Sequence, residues 1–395
     1  MSTQDLRGLH VRVDRLGSRR ESWGRRVSVH GWWLAPLFVV PFFSDMIPGS
    51  GDDPAATLAV EDTARIVGAD LPLHVNERVE KWMDRFQTTH RPEFARILAS
   101  SGIYDGMIRE KLRARGMPEE LVYLAMMESG LSPWAVSQVS AVGMWQFMSP
   151  TAIEYGLRVD EYVDERRDPV RATDAALDYL QWLHGRFGSW YLAAAAYNAG
   201  PSRVQRILRL HAGGRSGDED LYWEVLDHLP AETREYVPRI VAATILAEDA
   251  DHFGFAASGA EPYLFDRVFV PGKTRLYTIA EVLGIHVRVL RELNPHLTKQ
   301  VTPPDEIYGV RVPVGLSPQV VTSLATGTGL RETAESQGLV NGATRETARR
   351  VLRAGPLLVR GWTATSDRVP PTAGGSAVGL RGRSPLGPTF LLGPG

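Results

Sequence analysis

The sequence has 395 residues, which is long enough for two or three domains and for a sizeable buried core. Its 44 Lys and Arg residues nearly balance its 46 Asp and Glu residues, so net charge gives no argument for a nucleic-acid partner and we expect none. Because it contains no cysteine, the sequence excludes disulfides, thiolate metal sites, a catalytic thiol and a lipidated cysteine, and therefore a lipoprotein anchor.

The first 43 residues combine a basic stretch with an apolar one. Residues 1–30 hold seven arginines against three acids, and "GWWLAPLFVVPFF" follows, which is shorter than the ~20 residues of a spanning helix. This order predicts an export signal or anchor over residues 1–43, which places the protein in the periplasm or cell envelope and allows membrane association. A buried strand or irregular hydrophobic segment is the alternative. Residues 44–70, rich in Gly, Pro, Ala and Asp, predict a linker.

Residues 71–255 carry apolar side chains mainly at helical spacing, which predicts one mostly helical domain. "VNERVEKWMDRF" places Val75, Val79, Trp82 and Phe86 on one stripe, and "PVRATDAALDYLQWLHGRFG" is also amphipathic. "WYLAAAAYNAGP" is so rich in alanine that its helix must pack closely against others.

The character of the chain changes after residue 255. "YLFDRVFVPG" and "IYGVRVPVG" predict short strands that enclose the helical "TIAEVLGI" and "VRVLRELNP", so residues 262–315 predict a small α+β module. Residues 322–395, rich in Gly, Pro, Thr and Arg, predict a disordered tail.

A glutamate in "AMMESGLSPW", Glu128, falls at the apolar end of a helix predicted over residues 118–129. Leu121, Leu124 and Ala125 share its face. Because apolar surroundings disfavour the ionised form, the pKa of this carboxyl should rise toward that of a general acid. The alternative is a glutamate at a frayed helix end that reaches solvent.

Two later stretches, "SAVGMWQFMSPTA" and "AAYNAGPSRV", supply aromatic and amide side chains suited to a groove for a sugar chain. Taken singly, each of these side chains has a simpler interpretation: a core aromatic, a capping amide or a buried phenol with one hydrogen bond.

Together and in this order, four stretches resemble the Slt-type lytic transglycosylases, which cleave bacterial peptidoglycan, and within them the membrane-bound lytic transglycosylase D group. The stretches are "MESGLSPWAVSQVSAVGMWQFM", "YVDERRDPVRATDAALDYL", "FGSWYLAAAAYNAGPSRV" and "LPAETREYVPRIVAATIL". The resemblance covers about residues 71–255 and implies a lysozyme-like helical domain, so the expected fold class is mainly α. It implies that Glu128 is the catalytic acid/base, and that the glycan contacts are Ser129, Ser137, Met144, Gln146, Tyr197, Asn198 and Tyr236.

A second carboxylate of the kind that most glycosidases use is not evident. Asp164, Glu165 and Asp168 are the nearest candidates, but they fall among arginines in "DERRDP", which indicates an ion-paired surface loop. For this family the resemblance implies that the 2-acetamido carbonyl of N-acetylmuramic acid (MurNAc) attacks the anomeric carbon. Glu128 would first protonate the leaving oxygen and then deprotonate the 6-hydroxyl, giving a 1,6-anhydromuramyl end. Neither a metal nor a cofactor is expected, because the histidines lack a metal-binding spacing.

The small module has its own resemblance. "RLYTIAEVLGIHVRVLRELNP" resembles a LysM peptidoglycan-binding repeat, and "VTPPDEIYGVRVP" resembles the segment that closes it in D-type enzymes. The usual Gly-Asp-Thr-Leu after the first strand is absent, so a structural appendage packed on the catalytic domain is an equal alternative to sugar binding. The sequence thus predicts a lytic transglycosylase that acts on peptidoglycan glycan strands. The alternatives are a lysozyme-type hydrolase and a non-catalytic wall-binding protein.

Overall fold

The computed structural model of the protein describes residues 64–66 and 71–326. The predicted export segment, and the predicted tail beyond residue 326, lie outside these residues. The described strands are β1 Ala64–Ile66, β2 Leu73–Val75, β3 Asp266–Val270 and β4 Tyr308–Val312. The described helices are α1 Glu77–Gln87, α2 Arg91–Ser101, α3 Asp105–Ala114, α4 Val122–Ser129, α5 Ser149–Glu154, α6 Pro169–Phe187, α7 Trp190–Ala199, α8 Pro201–His211, α9 Asp220–Glu224, α10 Ala231–Glu248, α11 Leu276–Leu283, α12 Val287–Leu293 and α13 Ser317–Thr326. None of them is long and apolar enough to cross a bilayer.

Residues 71–255 form a helical region around two long helices, α6 and α10. Helix α10 packs on α1, α4 and α7, and α6 packs on α3 and α7. Helix α7 has four buried alanines, and their small side chains allow α6 and α10 to pack close to the backbone of α7. The alanines are Ala193, Ala194, Ala195 and Ala196. The alanine-rich stretch therefore lies at the centre of the helical core.

Helix α1 shows why the helical spacing was informative. The helix begins after Asn76, whose Oδ1 accepts hydrogen bonds from the backbone N–H groups of Arg78 and Val79 at 3.1 Å. Three residues of the predicted apolar stripe, Val79, Trp82 and Phe86, are buried on one face of the helix. The fourth, Val75, lies in β2 and is also buried.

The short strand β1 lies inside residues 44–70, for which the composition predicted a linker. β1 pairs antiparallel with β2, with Ala64 opposite Val75. A strand of three residues is too short to show the alternation by which strands are detected in a sequence.

The small module contains the antiparallel pair β3–β4, in which Val268 lies opposite Val310. Helix α12 packs on β4 and α13 packs on β3, and α11 packs on both of these helices. Helix α13 extends the packed structure past residue 315, where we expected the module to end, and past Thr322, where we expected disorder to begin. Its Val320 is fully buried in the apolar core of the module, so α13 is part of that core.

The module packs directly on the helical region. Val163 belongs to the helical region in sequence, but its side chain lies in the apolar core of the module. The backbone N–H of Asp164 also donates to the carbonyl oxygen of His296 at 2.9 Å. These contacts agree with the packing that the appendage interpretation requires.

Candidate active site

Glu128 lies in the last turn of α4, directly before a reversal of the chain. A 3₁₀ turn, Glu119–Leu121, precedes the helix, so the predicted single helix over residues 118–129 begins as a tighter turn. Gly130 ends the helix with φ +62°, and its N–H donates to the Met126 carbonyl oxygen at 2.8 Å. The other side chains of α4 are buried, whereas Glu128 is half-buried and in contact with solvent.

The pKa of Glu128 is raised from 4.5 to about 7, chiefly because burial disfavours the carboxylate. Two groups oppose this effect: the hydroxyl of Tyr236 donates to Oε1 at 2.5 Å, and the positive charge of Arg239 lies nearby. The negative charge of Glu232 raises the pKa further. A carboxyl with this pKa can donate a proton at neutral pH and take one up later.

Helix α10 supplies the three groups that act on the pKa of Glu128. Glu232, Tyr236 and Arg239 are spaced four and three residues apart, so they share one face of the helix. Arg239 is buried, and its guanidinium carbon lies 5.9 Å from the centre of the Tyr236 ring. The sequence analysis included Tyr236 but missed the other two, although their spacing from Tyr236 was a usable signal.

A hydrogen bond between Ser129 and Met144 joins α4 to the segment Ser137–Phe147. The Ser129 hydroxyl donates to the Met144 carbonyl oxygen at 2.8 Å and accepts from the Ser132 N–H at 3.1 Å. Both Ser129 and Met144 are only 1% exposed. Their side chains are therefore in contact with protein rather than with solvent.

Tyr197 holds the same segment from the side of α7. Its hydroxyl donates to the carbonyl oxygen of Trp145 at 2.7 Å. Burial and the neighbouring charge of Glu128 raise the pKa of Tyr197 well above 10, so the phenol stays neutral and acts as a donor. The Trp145 indole N–H donates to the Thr173 hydroxyl at 3.0 Å, which ties the segment to α6 as well.

Ser137 and Gln146 lie near the two ends of this segment and are both half-buried. The Ser137 hydroxyl accepts from the Ala141 N–H at 3.0 Å and closes a turn. Gln146 has a left-handed backbone, with φ +48°, and its side-chain amide donates to the Gly143 carbonyl oxygen at 2.8 Å. A non-glycine residue in this conformation is uncommon and marks a closely defined loop geometry.

Asn198, at the end of α7, contacts α10 through both atoms of its amide. Its Nδ2 donates to Oε1 of Glu232 at 3.1 Å, and its Oδ1 accepts from the Thr233 hydroxyl at 2.7 Å. The structure thus links Asn198 to a carboxylate that acts electrostatically on Glu128.

The three carboxylates of "DERRDP" are ion-paired, as the sequence predicted, but the expectation of a surface loop was wrong. Asp164 binds Arg166 at 2.9 Å, and Asp168 binds Arg311 of the small module at 2.8 Å. Both aspartates are buried. Glu165 is partly buried; one of its oxygens lies 3.6 Å from Nε of Arg171, and the other accepts from the Arg158 N–H at 2.7 Å. The loop is buried because it contacts the small module through Asp164 and Asp168 and the segment Ser137–Phe147 through Arg166.

Comparison with known families agrees with this geometry. Residues 106–216 match the family model described as "Transglycosylase SLT domain", and residues 264–329 match "Lytic transglycosylase MltD, LysM-like domain". The chain contains an SLT domain and an MltD-type LysM-like domain. The SLT match includes Glu128, whereas Tyr236 on α10 lies beyond its end.

Two curated proteins illustrate the sequence similarity of this chain to individual relatives. The "Membrane-bound lytic murein transglycosylase D" of Escherichia coli (strain K12) is 29% identical over 281 residues, which cover 70% of this chain and 61% of that relative. The "Peptidoglycan transglycosylase gp16" of Escherichia phage T7 is 39% identical over 104 residues, which cover 26% of this chain and 8% of that relative. The match with the D-type relative thus spans about three-fifths of its length.

Among solved structures, the 70 kDa soluble lytic transglycosylase SLT70 from Escherichia coli aligns with a TM-score of 0.30 and 24% identity. This alignment covers 36% of this chain and 24% of that chain.

Proposed function

We propose that the protein is a peptidoglycan lytic transglycosylase that cleaves the β-1,4 bond between MurNAc and N-acetylglucosamine. The observation that carries the proposal is the state of Glu128. It is a half-buried carboxyl with a pKa of about 7, bound by Tyr236, inside a matched SLT domain. Such a group meets the requirement for a general acid that later becomes a base.

The proposed reaction begins with neutral Glu128, which protonates the glycosidic oxygen as the bond to the anomeric carbon breaks. The 2-acetamido carbonyl of MurNAc forms the new bond to that carbon and carries the positive charge. Glu128, now a carboxylate, takes the proton from the 6-hydroxyl, whose oxygen displaces the acetamido group. The product is a 1,6-anhydromuramyl end, Glu128 regains its proton, and no water is consumed.

The placement of the other carboxylates supports a nucleophile supplied by the substrate. Asp164 and Asp168 are held in buried ion pairs, so neither is available to attack a sugar. Glu232 differs from these two aspartates, because it is exposed and its negative charge raises the pKa of Glu128. Its negative charge would stabilise the positive charge that develops on the sugar.

Glu232 also favours a second candidate function, a lysozyme-type peptidoglycan hydrolase. In that reaction Glu232 would activate a water molecule, and the reducing end would carry a hydroxyl instead of an anhydro bridge. The two functions share Glu128 as the acid and differ in the mass of the product by one water.

The predicted glycan contacts would act in two ways. We assign direct contact with the glycan to the accessible side chains of Ser137, Gln146 and Asn198. We assign a positioning role to three buried residues and to the half-buried Tyr197, whose hydroxyl is already bound to the Trp145 carbonyl oxygen. The three buried residues, which hold the structure around Glu128, are Ser129, Met144 and Tyr236.

A location in the cell envelope follows from the proposed substrate. The basic-then-apolar order of residues 1–43 and the "membrane-bound" relative of Escherichia coli support the same location. Cell fractionation should find the full-length protein with the envelope. Recovery of the full-length protein from the cytoplasm would contradict this part of the proposal.

Digestion of purified sacculi tests the enzymatic proposal. The parent protein should release muropeptides, and Glu128→Gln should lose about 10²–10⁴ in rate, because the amide cannot deliver a proton. Glu93→Gln, at a partly exposed position on α2, serves as the matched control and should keep the parent rate. Release by Glu128→Gln at the parent rate would show that Glu128 is not the acid, and no release by the parent itself would leave a wall-binding role as the better explanation.

The substrate-assisted step has a separate test. A thiazoline analogue of the cyclised acetamido intermediate should inhibit the enzyme, since sites that stabilise a reaction species bind its analogues tightly. Absence of inhibition, together with loss of activity in a folded Glu232→Gln variant, would favour the hydrolase.

A further inference from the structure

Arg311, on β4 of the LysM-like domain, is a buried cation at the boundary with the SLT domain. It is 2% exposed, and its Nη2 donates to both carboxylate oxygens of Asp168 at 2.8 Å. Its Nη1 donates to the Tyr263 hydroxyl at 3.0 Å. The side chain of Asn294 binds both the N–H and the carbonyl oxygen of Arg311, at 2.8 and 2.7 Å. The position of the guanidinium is therefore closely defined.

Asp168 connects this cation to the helical core. Its Oδ1 also accepts from the N–H groups of Val170 and Arg171, at 2.9 and 3.1 Å, and so caps α6. His296 Nδ1 lies 3.2 Å from Oδ2. A buried ion pair of this kind adds little net stability, but it can define one arrangement of the elements that it joins.

The loop 164–168 carries the connection onward to the segment Ser137–Phe147. Arg166 is bound by Asp164, and its Nη1 donates to the carbonyl oxygens of Ser140 and Phe147 at 3.2 and 3.3 Å. At Gly143 the two pieces of backbone touch, since a Cβ atom there would lie 1.8 Å from the Arg166 carbonyl oxygen. The loop is thus pressed against the middle of the segment.

The segment in turn holds residues next to the proposed acid. Its Met144 carbonyl oxygen accepts from Ser129, the neighbour of Glu128, and its Trp145 carbonyl oxygen accepts from Tyr197. A continuous set of contacts therefore runs from the LysM-like domain to the surroundings of Glu128.

We propose that Arg311 is a positioning residue that acts through Asp168 on the loop 164–168, and so holds the segment Ser137–Phe147 in shape. The LysM-like domain then supports the proposed glycan groove, whether or not it binds sugar itself. The expected effect of Arg311 on glycan binding rests on the proposed function, whereas its expected effect on the structure of the segment does not. The competing explanation is that the ion pair serves stability alone.

Hydrogen exchange of the full-length protein tests the structural step. The double variant Arg311→Met/Asp168→Asn removes the charges of both members of the buried pair, so neither of the two is left without its partner. The amides of Val142 and Phe147 should exchange faster by about 2- to 30-fold, the range found for mutations along packed networks, while Val241 in α10 stays unchanged. The control is Arg288→Gln/Glu292→Gln, which removes an exposed pair of the same domain.

Kinetics on soluble glycan strands test the functional step. A variant that only destabilised the protein would lower the active fraction and Vmax but leave KM unchanged. We expect KM to rise by about 2- to 30-fold in the folded double variant, with the control at the parent value. If the parent itself does not cleave glycan, the proposed function fails and hydrogen exchange alone decides the positioning role.

A folded double variant with parent-like exchange at Val142 and Phe147 would overturn the proposal. So would a parent-like KM in an enzyme that cleaves glycan. If the double variant does not fold, Arg311→Lys takes its place. Lysine keeps the positive charge but lacks the planar guanidinium that binds Asp168 and Tyr263 through two different nitrogens. The same two readouts apply, and parent-like values in both would again exclude a positioning role.

Discussion

At the scale of single residues, the pKa of Glu128 is a balance between burial and two groups on α10. Burial favours the neutral acid, whereas the Tyr236 hydroxyl and the charge of Arg239 favour the carboxylate. The resulting pKa of about 7 lets both forms exist near neutral pH. A carboxyl that must donate and then accept a proton needs this balance.

Tyr236→Phe should raise the pKa of Glu128, because it removes a hydrogen bond that stabilises the carboxylate. A hydrogen bond to a charged group contributes about 1.5–3 kcal/mol, which corresponds to a rise of about one to two pH units. Since the acid must be protonated to act, the alkaline limb of the kcat/KM profile should move to higher pH. A limb that stays in place, or moves to lower pH, would contradict the assigned role of Tyr236.

Glu128→Gln should make the protein more stable at alkaline pH. The folded-state pKa lies above the ordinary value of 4.5, so the native state binds the proton more tightly than the unfolded state. The stabilisation from this proton is complete below about pH 4.5 and is lost as the pH rises through about 7. The variant should therefore match the parent near pH 4.5 and exceed it by about 3 kcal/mol at pH 8. Urea unfolding at the two pH values measures this, and an equal difference at both would show that burial does not raise the pKa.

At the scale of elements, the segment Ser137–Phe147 depends on a glycine. Gly143 has φ +85° and touches the Arg166 carbonyl oxygen, so both its conformation and its lack of a side chain are required. The segment presents the proposed glycan contacts Ser137 and Gln146. A substitution at Gly143 should therefore change the shape of the proposed glycan groove directly.

Gly143→Ala should destabilise the protein more than Gly156→Ala. Both positions have positive φ, which costs an alanine about 1–2 kcal/mol, but a Cβ at Gly156 would meet open space. The clash at Gly143 should add about 1–3 kcal/mol, and glycan cleavage should fall with it. Free energies of unfolding from urea titrations give the comparison. Equal losses in the two variants would mean that the backbone approach at Gly143 carries no strain.

Periodicity predicted most helices because each buries one apolar stripe, as α1 does with Val79, Trp82 and Phe86. The same pattern identified the apolar surroundings of Glu128. Charge order within "DERRDP" indicated ion pairs, but not their burial, because the partner of Asp168 is Arg311, 143 residues further along the chain. The bond from Tyr236 to Glu128 likewise joins residues 108 apart, so its geometry could not be read from local sequence patterns.

At the scale of the whole molecule, the SLT and LysM-like domains are joined by buried polar contacts. Asp168 binds Arg311, Asp164 binds the backbone of His296, and Val163 enters the apolar core of the LysM-like domain. Domains joined by a flexible linker lack such contacts and unfold separately. The packing here predicts a common unfolding transition instead.

Calorimetry of the full-length protein should therefore show one transition for the two domains. Asp168→Asn leaves Arg311 buried without its carboxylate, which should cost about 3–5 kcal/mol and lower the temperature of that transition. Glu292→Gln breaks an exposed pair on α12 and should cost less than about 0.5 kcal/mol. Two separate transitions in the parent, only one of which responds to Asp168→Asn, would show that the domains unfold independently.

The identity of the reaction product is the most direct test of the central claim, that Glu128 serves as acid and then as base in a reaction completed by the substrate's own 6-hydroxyl. Purified sacculi are digested with the full-length protein, and the released muropeptides are analysed by mass spectrometry. We predict MurNAc ends one water lighter than those of a hydrolase, without ¹⁸O from labelled water, and no such product from Glu128→Gln. Reducing MurNAc ends that carry ¹⁸O would contradict the proposed reaction and assign the second step to water.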